Sequence, residues 1–123
     1  MMKIIKLWMA VIIWAGVIFF LSSIPHLSSG LEYDHILRKI AHVLEYLILT
    51  FLLYRAFKGT FQLDALSLFF YPTLLAFFYA VSDEIHQLYV PFRGGAVSDV
   101  LIDGIGIVGF YLLLITRLRK LSE

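Results

Sequence analysis

Four stretches of this chain, at about 4–24, 36–57, 63–81 and 97–118, are apolar and long enough to cross a bilayer, yet acids, bases and amides sit inside or at the rims of three of them. A span needs about 20 predominantly apolar residues, with a range of about 17–25. An ionisable side chain placed in hydrocarbon costs roughly 2.5–3.5 kcal/mol on insertion scales. Lys39, His42 and Glu45 follow at helical spacing in the second stretch. Asp83, Glu84, His86 and Gln87 close the third, and Asp99 and Asp103 open the fourth. Groups that costly should face one another rather than lipid. The pattern predicts an all-α integral membrane bundle of four transmembrane helices with its polar residues gathered inside.

Composition supports the same class. The 123 residues are 61% hydrophobic and 15% charged, against about 45–50% apolar and about 25% charged in soluble domains. The length fits one small domain over 1–123, with short connections that make neighbouring helices antiparallel. A net charge of +1 excludes the strongly basic profile of a nucleic-acid binder. Without cysteine there is no disulfide and no thiolate-ligated zinc or iron–sulfur centre. The basic start and the run from Ile4 to Leu21 exceed the about 7–15 residues of a signal-peptide core, so a retained first span is expected. Pro72 falls within the third span, where membrane helices tolerate a kink.

Seven of the ten basic residues, Lys3, Lys6, Arg55, Lys58, Arg117, Arg119 and Lys120, fall at one set of helix ends, and Arg38, Lys39 and Arg93 lie toward the other. Cytoplasmic loops carry the excess of Lys and Arg. Both termini and the segment 55–64 are therefore expected in the cytoplasm, with 22–35 and 88–95 facing outward. Glu32, Asp34, Lys39, His42, Glu45, Asp83, Glu84, His86, Gln87, Arg93, Asp99 and Asp103 then all belong to the outer half and can converge on one outward-facing pocket.

Within that pocket, steps of three residues place Lys39, His42 and Glu45 on one helix face. Glu45 lies about 13 Å past the helix start at 1.5 Å per residue, too deep to snorkel. His42 and Glu45 are either an acid–base pair, two metal ligands, or a buried hydrogen bond holding helices together. The cluster Asp83-Glu84-x-His86-Gln87 could hold a divalent cation, or a phosphate-bearing substrate through one, and Asp83 or Glu84 could act as general base; the alternative is a solvated helix end. Arg93, beside Gly94 and Gly95, is a planar donor for carboxylate or phosphate, or a surface ion pair. Asp99 has the electrostatic favour of a helix N-terminus, while Asp103 lies deeper. Gly104, Gly106 and Gly109 read as helix-packing positions.

The expected roles are catalytic for His42, Glu45, Asp83 and Glu84, and substrate-binding for Lys39, Gln87, Arg93 and Asp103. A metal would fall to Glu84 and Asp99. Five acids, Glu45, Asp83, Glu84, Asp99 and Asp103, face three bases, Arg38, Lys39 and Arg93. A low-dielectric site sustains that deficit of two positive charges poorly. A bound divalent cation, protonated carboxylates, or protonated His42 and His86 would each remove it, and the cation is the working expectation.

The ordered set Lys39-x-x-His42-x-x-Glu45-Tyr46, Asp83-Glu84-x-His86-Gln87, Pro91-x-Arg93 and Asp99 with a following Gly106 resembles the VanZ-like family over roughly 22–111. One departure is Asp103, where Asn is common in the family. The resemblance implies a small multi-pass protein of the bacterial cell membrane and a link to the cell envelope. For the family's namesake from enterococci it implies resistance to the glycopeptide teicoplanin. It supplies no reaction. Three functions stay open: a membrane enzyme acting on a lipid-linked or envelope substrate, a non-catalytic envelope or glycopeptide-binding factor, and a small proton-coupled transporter. The last is disfavoured because the cytoplasmic half reads as apolar.

Overall fold

The computed structural model describes residues 1–24, 34–90 and 97–123. These form four helices, α1 (Met2–Ser23), α2 (Asp34–Thr60), α3 (Ala65–Gln87) and α4 (Val97–Ser122), with no strand among the described residues. Lengths of 22 to 27 residues correspond to about 33–40 Å at 1.5 Å per residue. Three of them, α1, α3 and α4, are long and apolar enough to cross a membrane. α3 starts where the Asp64 side chain accepts the Ser67 N–H at 3.0 Å, a capping bond on an otherwise orphaned helix donor. Hydrogen bonding to Ser67 holds the Asp64 carboxyl below its ordinary range.

The helix with the most charge is the one in the middle. α2 carries Arg38, Lys39, Glu45, Arg55 and Lys58, and it packs against each of the other three helices. α3 also touches α1 and α4, whereas α1 and α4 do not pack on one another among the described residues. The buried side chains of α2 are Tyr46, Leu49, Thr50, Leu53 and Ala56. Their spacing of three and four residues is that of a single helical stripe.

Polarity is distributed inside-out relative to a soluble domain. Phe19, Phe20, Phe77, Phe78, Leu112 and Leu113 are exposed, while Ser22, Thr50, Asp83, Glu84, Gln87 and Asp103 are buried. An apolar surface around a polar interior suits lipid as solvent, since no water is there to solvate polar groups. All the buried polar residues except Thr50 lie toward the end where α1 and α3 finish and α2 and α4 begin. The opposite half is aromatic. Trp8 donates to Thr60 at 2.8 Å and meets Phe57 edge-on at 5.4 Å. Pro72 is buried in α3 and removes one rung of that helix's hydrogen-bond ladder. On the next carbonyl, Phe69, the hydroxyls of Thr73 and Tyr111 converge at 2.7 and 3.1 Å.

Gly106 sets the spacing between α2 and α4. A Cβ there would collide with the Val43 carbonyl oxygen and lie 3.0 Å from the Leu47 nitrogen. Both are backbone atoms that cannot rotate away. Gly104 would meet nothing within 4 Å, and Gly109 only the end of the Leu47 side chain at 3.7 Å. Of the three glycines that read alike in sequence, Gly106 is the one that packing requires.

Two outcomes follow for unfolding in detergent. Gly106→Ala is expected to cost about 1–3 kcal/mol, the range for overpacking a filled interior, whereas Gly104→Ala should be neutral or slightly stabilising because alanine is the better helix former. Tyr111→Phe should cost about 0.6 kcal/mol, and at most about 1.7, the measured range for interhelical hydrogen bonds in a membrane protein.

Candidate functional site

At the polar end, Arg38, His42 and Glu45 recur on α2 at spacings of four and three, so they share a face. Asp103 on α4 comes against that face because Gly106, three residues on, lets the two backbones approach. His42 Nδ1 and Asp103 Oδ1 lie 2.8 Å apart. Asp103 is wholly buried, and its second oxygen, Oδ2, has no hydrogen-bond partner among the described residues. Glu84 enters from α3. One of its oxygens, a ring nitrogen of His42 and a carboxylate oxygen of Asp103 all lie within 4.8 Å of one another.

Beside this trio is a cavity of about 30 Å³ lined by Ile18, Leu21, Ser22, Arg38, Ala41, His42, Glu45, Asp83 and Gln87. A water needs roughly 10–15 Å³ measured in this way, so the space suits one or two waters or one small polar group. Two of its walls carry buried atoms without partners among the described residues, Ser22 Oγ and Gln87 Nε2. The hydroxyl of Tyr46, one turn further along α2, is likewise buried without a partner, within electrostatic reach of Asp83 and Asp103. A larger space of about 310 Å³ between α3 and α4, bounded by Phe69, Phe70, Phe77, Ile107 and Val108 among others, is apolar and belongs to another flank.

The helices around the cavity are braced by hydrogen bonds to backbone. Trp14 Nε1 donates to the Glu45 carbonyl at 2.9 Å, and Tyr79 donates to the Ala15 carbonyl. Ser23 Oγ donates to the Phe19 carbonyl at 2.7 Å. Its single proton is thus committed, and His86 Nε2, 2.9 Å away, donates to it. His86 also stacks on Phe19 with centroids 4.4 Å apart. This histidine ties α3 to α1.

Of the residues singled out from sequence, His42, Glu45, Asp83 and Gln87 share the cavity wall, and Glu84 and Asp103 adjoin it through His42. Lys39 is exposed and is not on the lining. Asp99 sits one turn before Asp103, partly exposed, outside the group whose atoms could share an ion, although its charge reaches Asp103. Arg93 lies outside the described residues. Ser22 and Arg38 are additional wall residues. The spacing of Arg38 from His42 and Glu45 could have flagged it, whereas nothing in the apolar first span marks Ser22.

The family model described as VanZ/LLP1 matches residues 7–118. The uncharacterized membrane protein YwnJ of Bacillus subtilis (strain 168) is 32% identical over 87 residues, which are 71% of this chain and 55% of that protein. The chain thus spans about half the length of the curated relative it matches. No solved structure matches it. Three helices able to cross a membrane and a relative that is a bacterial membrane protein make this a multi-pass protein of the bacterial cell membrane. The family match begins in α1 and ends in α4, so that it takes in every helix that meets at the polar end, and the chain belongs to the VanZ/LLP1 family.

Proposed function

We propose that this chain is a cell-envelope protein that admits the polar part of a lipid-linked or other envelope substrate to the cavity beside His42 and moves a proton there. The observation that carries the reading is the meeting of titratable side chains from three helices in an otherwise apolar bundle, Glu45, His42 and Asp83 on the wall of one small cavity and Glu84 and Asp103 beside it against His42. Convergent acid–base groups in a perturbing environment are the pattern expected of an active site. Glu45 and His42 are the proton-transfer groups, Asp103 fixes the His42 ring, and Ser22 and Gln87 offer hydrogen bonds to a bound group. Glycopeptide susceptibility is the phenotype to read, since the family's namesake confers teicoplanin resistance. Against a transporter stands the aromatic half of the bundle, whose Thr73 and Tyr111 hydroxyls close on a backbone carbonyl.

Four spanning helices with the cavity toward the cell exterior fit the distribution of Lys and Arg. The chain has no cysteine, so any introduced thiol is unique. In intact cells, Leu88→Cys should react with a membrane-impermeant maleimide, and Ser122→Cys should react only after permeabilisation. The reverse pattern would turn the cavity toward the cytoplasm.

Substitution separates enzyme from binder. His42→Gln, Glu45→Gln, Asp83→Asn and Asp103→Asn should each bring teicoplanin susceptibility to that of cells lacking the protein, at wild-type abundance on immunoblots, with Lys39→Gln unchanged. Full effect in all four variants would remove the site. Retention in Glu45→Gln alone would favour a recognition pocket over proton transfer, because the amide keeps the shape and loses the titrating group.

A further inference from the structure

We propose that His42, Glu84 and Asp103 bind one divalent cation of the zinc–manganese class, with an open coordination position toward the cavity. The proposal rests on the functional reading above and gives that site its cofactor. Three donor atoms from three different helices lie within 4.8 Å of one another. Two donors on one tetrahedral ion at about 2.1 Å stand about 3.4 Å apart. The 2.8 Å between His42 Nδ1 and Asp103 Oδ1 is shorter, so an ion replaces the proton they share once the two side chains part by about 0.6 Å. Glu84 needs only a side-chain adjustment to close the set.

A second observation points to a cation independently. Asp103 is 0% exposed, and its Oδ2 has no donor among the described residues. A carboxylate oxygen buried that way is costly unless something positive faces it. The charges also close: two carboxylates, Glu84 and Asp103, with a neutral imidazole sum to −2, which one divalent ion cancels. One imidazole and two carboxylates, with no thiolate in the chain, suit Zn²⁺ or Mn²⁺ better than a soft ion such as Cu⁺. Three protein ligands with a vacant fourth position is the pattern of catalytic rather than structural zinc. Glu45 and Asp83, on the cavity wall with His42, are placed to take a proton from a water at that position. With His42 as a ligand, proton transfer rests on Glu45.

The test uses the full chain in a neutral detergent, stripped with chelator and then titrated with Zn²⁺ by calorimetry and with Mn²⁺ by electron paramagnetic resonance. One ion per chain is expected. Asp103→Asn, Glu84→Gln and His42→Ala should each weaken binding at least about 10-fold, the lower bound for losing even a group that only orients a ligand. Asp99→Asn should bind as wild type, and circular dichroism confirms the helices in each variant. If one variant fails to fold, the other two carry the comparison. No stoichiometric binding by the wild type, or unchanged affinity in the folded ligand variants, overturns the proposal, as does loss of the ion in Asp99→Asn alone. An absent ion with susceptibility still dependent on His42 and Asp103 removes the metal and leaves the functional reading. A bound ion with susceptibility indifferent to those residues removes that reading and leaves the metal site.

Discussion

The contact between His42 and Asp103 is the interaction around which the polar half of the bundle is arranged. It joins α2 to α4, and each partner would be an expensive solitary group at that depth. The contact depends on an atom that is missing. Were a Cβ present on Gly106, it would meet the Val43 carbonyl, the helices would part, and the imidazole would lose its carboxylate. A packing position on one helix thus decides an electrostatic contact one turn away. The same bond fixes the ring so that its other nitrogen has a defined direction, a condition for proton transfer.

That dependence also explains why the helix with the most charge is the central one. In lipid there is no hydrophobic drive between helices, because the tails are as apolar as leucine. What orders the bundle is packing and the satisfaction of polar atoms. α2 has the most polar atoms to satisfy, and a position against all three neighbours gives it the most partners. Trp14 illustrates the economy. Its indole N–H, which lipid would leave bare, donates to the Glu45 carbonyl on the helix that must be held in place.

Much of this was legible in the residues. Acids and amides at helical spacing inside apolar runs foretold that His42, Glu45, Asp83 and Gln87 would face inward together, and four apolar runs foretold four helices. What remained hidden depends on rotation and depth. Lys39 and Arg38 are adjacent and about 100° apart on a helix of 3.6 residues per turn. Which of them reaches the cavity is decided by where α1 docks, and Arg38 does. Asp99 and Asp103 share a stripe, but only the deeper one arrives at His42. Gly104, Gly106 and Gly109 are the same letter, and only the crossing point of two helices tells them apart. Bonds to backbone carbonyls, such as Tyr79 to Ala15, leave no trace in sequence because every residue has that acceptor.

The two ends of the bundle treat their polar atoms differently, and the difference argues for a ligand over mere cohesion. In the aromatic half, Trp8, Thr73 and Tyr111 each reach an acceptor in another residue. At the other end, Ser22 Oγ, Tyr46 OH, Gln87 Nε2 and Asp103 Oδ2 are buried without partners among the described residues. An unsatisfied buried polar atom costs about 1–3 kcal/mol. A chain that closes its hydroxyls onto carbonyls at one end has the means to do so at the other, or to carry alanine and leucine there instead. Ser22 Oγ and Gln87 Nε2 lie on the wall of a cavity of about 30 Å³, and on the reading proposed above they are the groups that a small polar occupant, rather than a hydrocarbon chain, would satisfy.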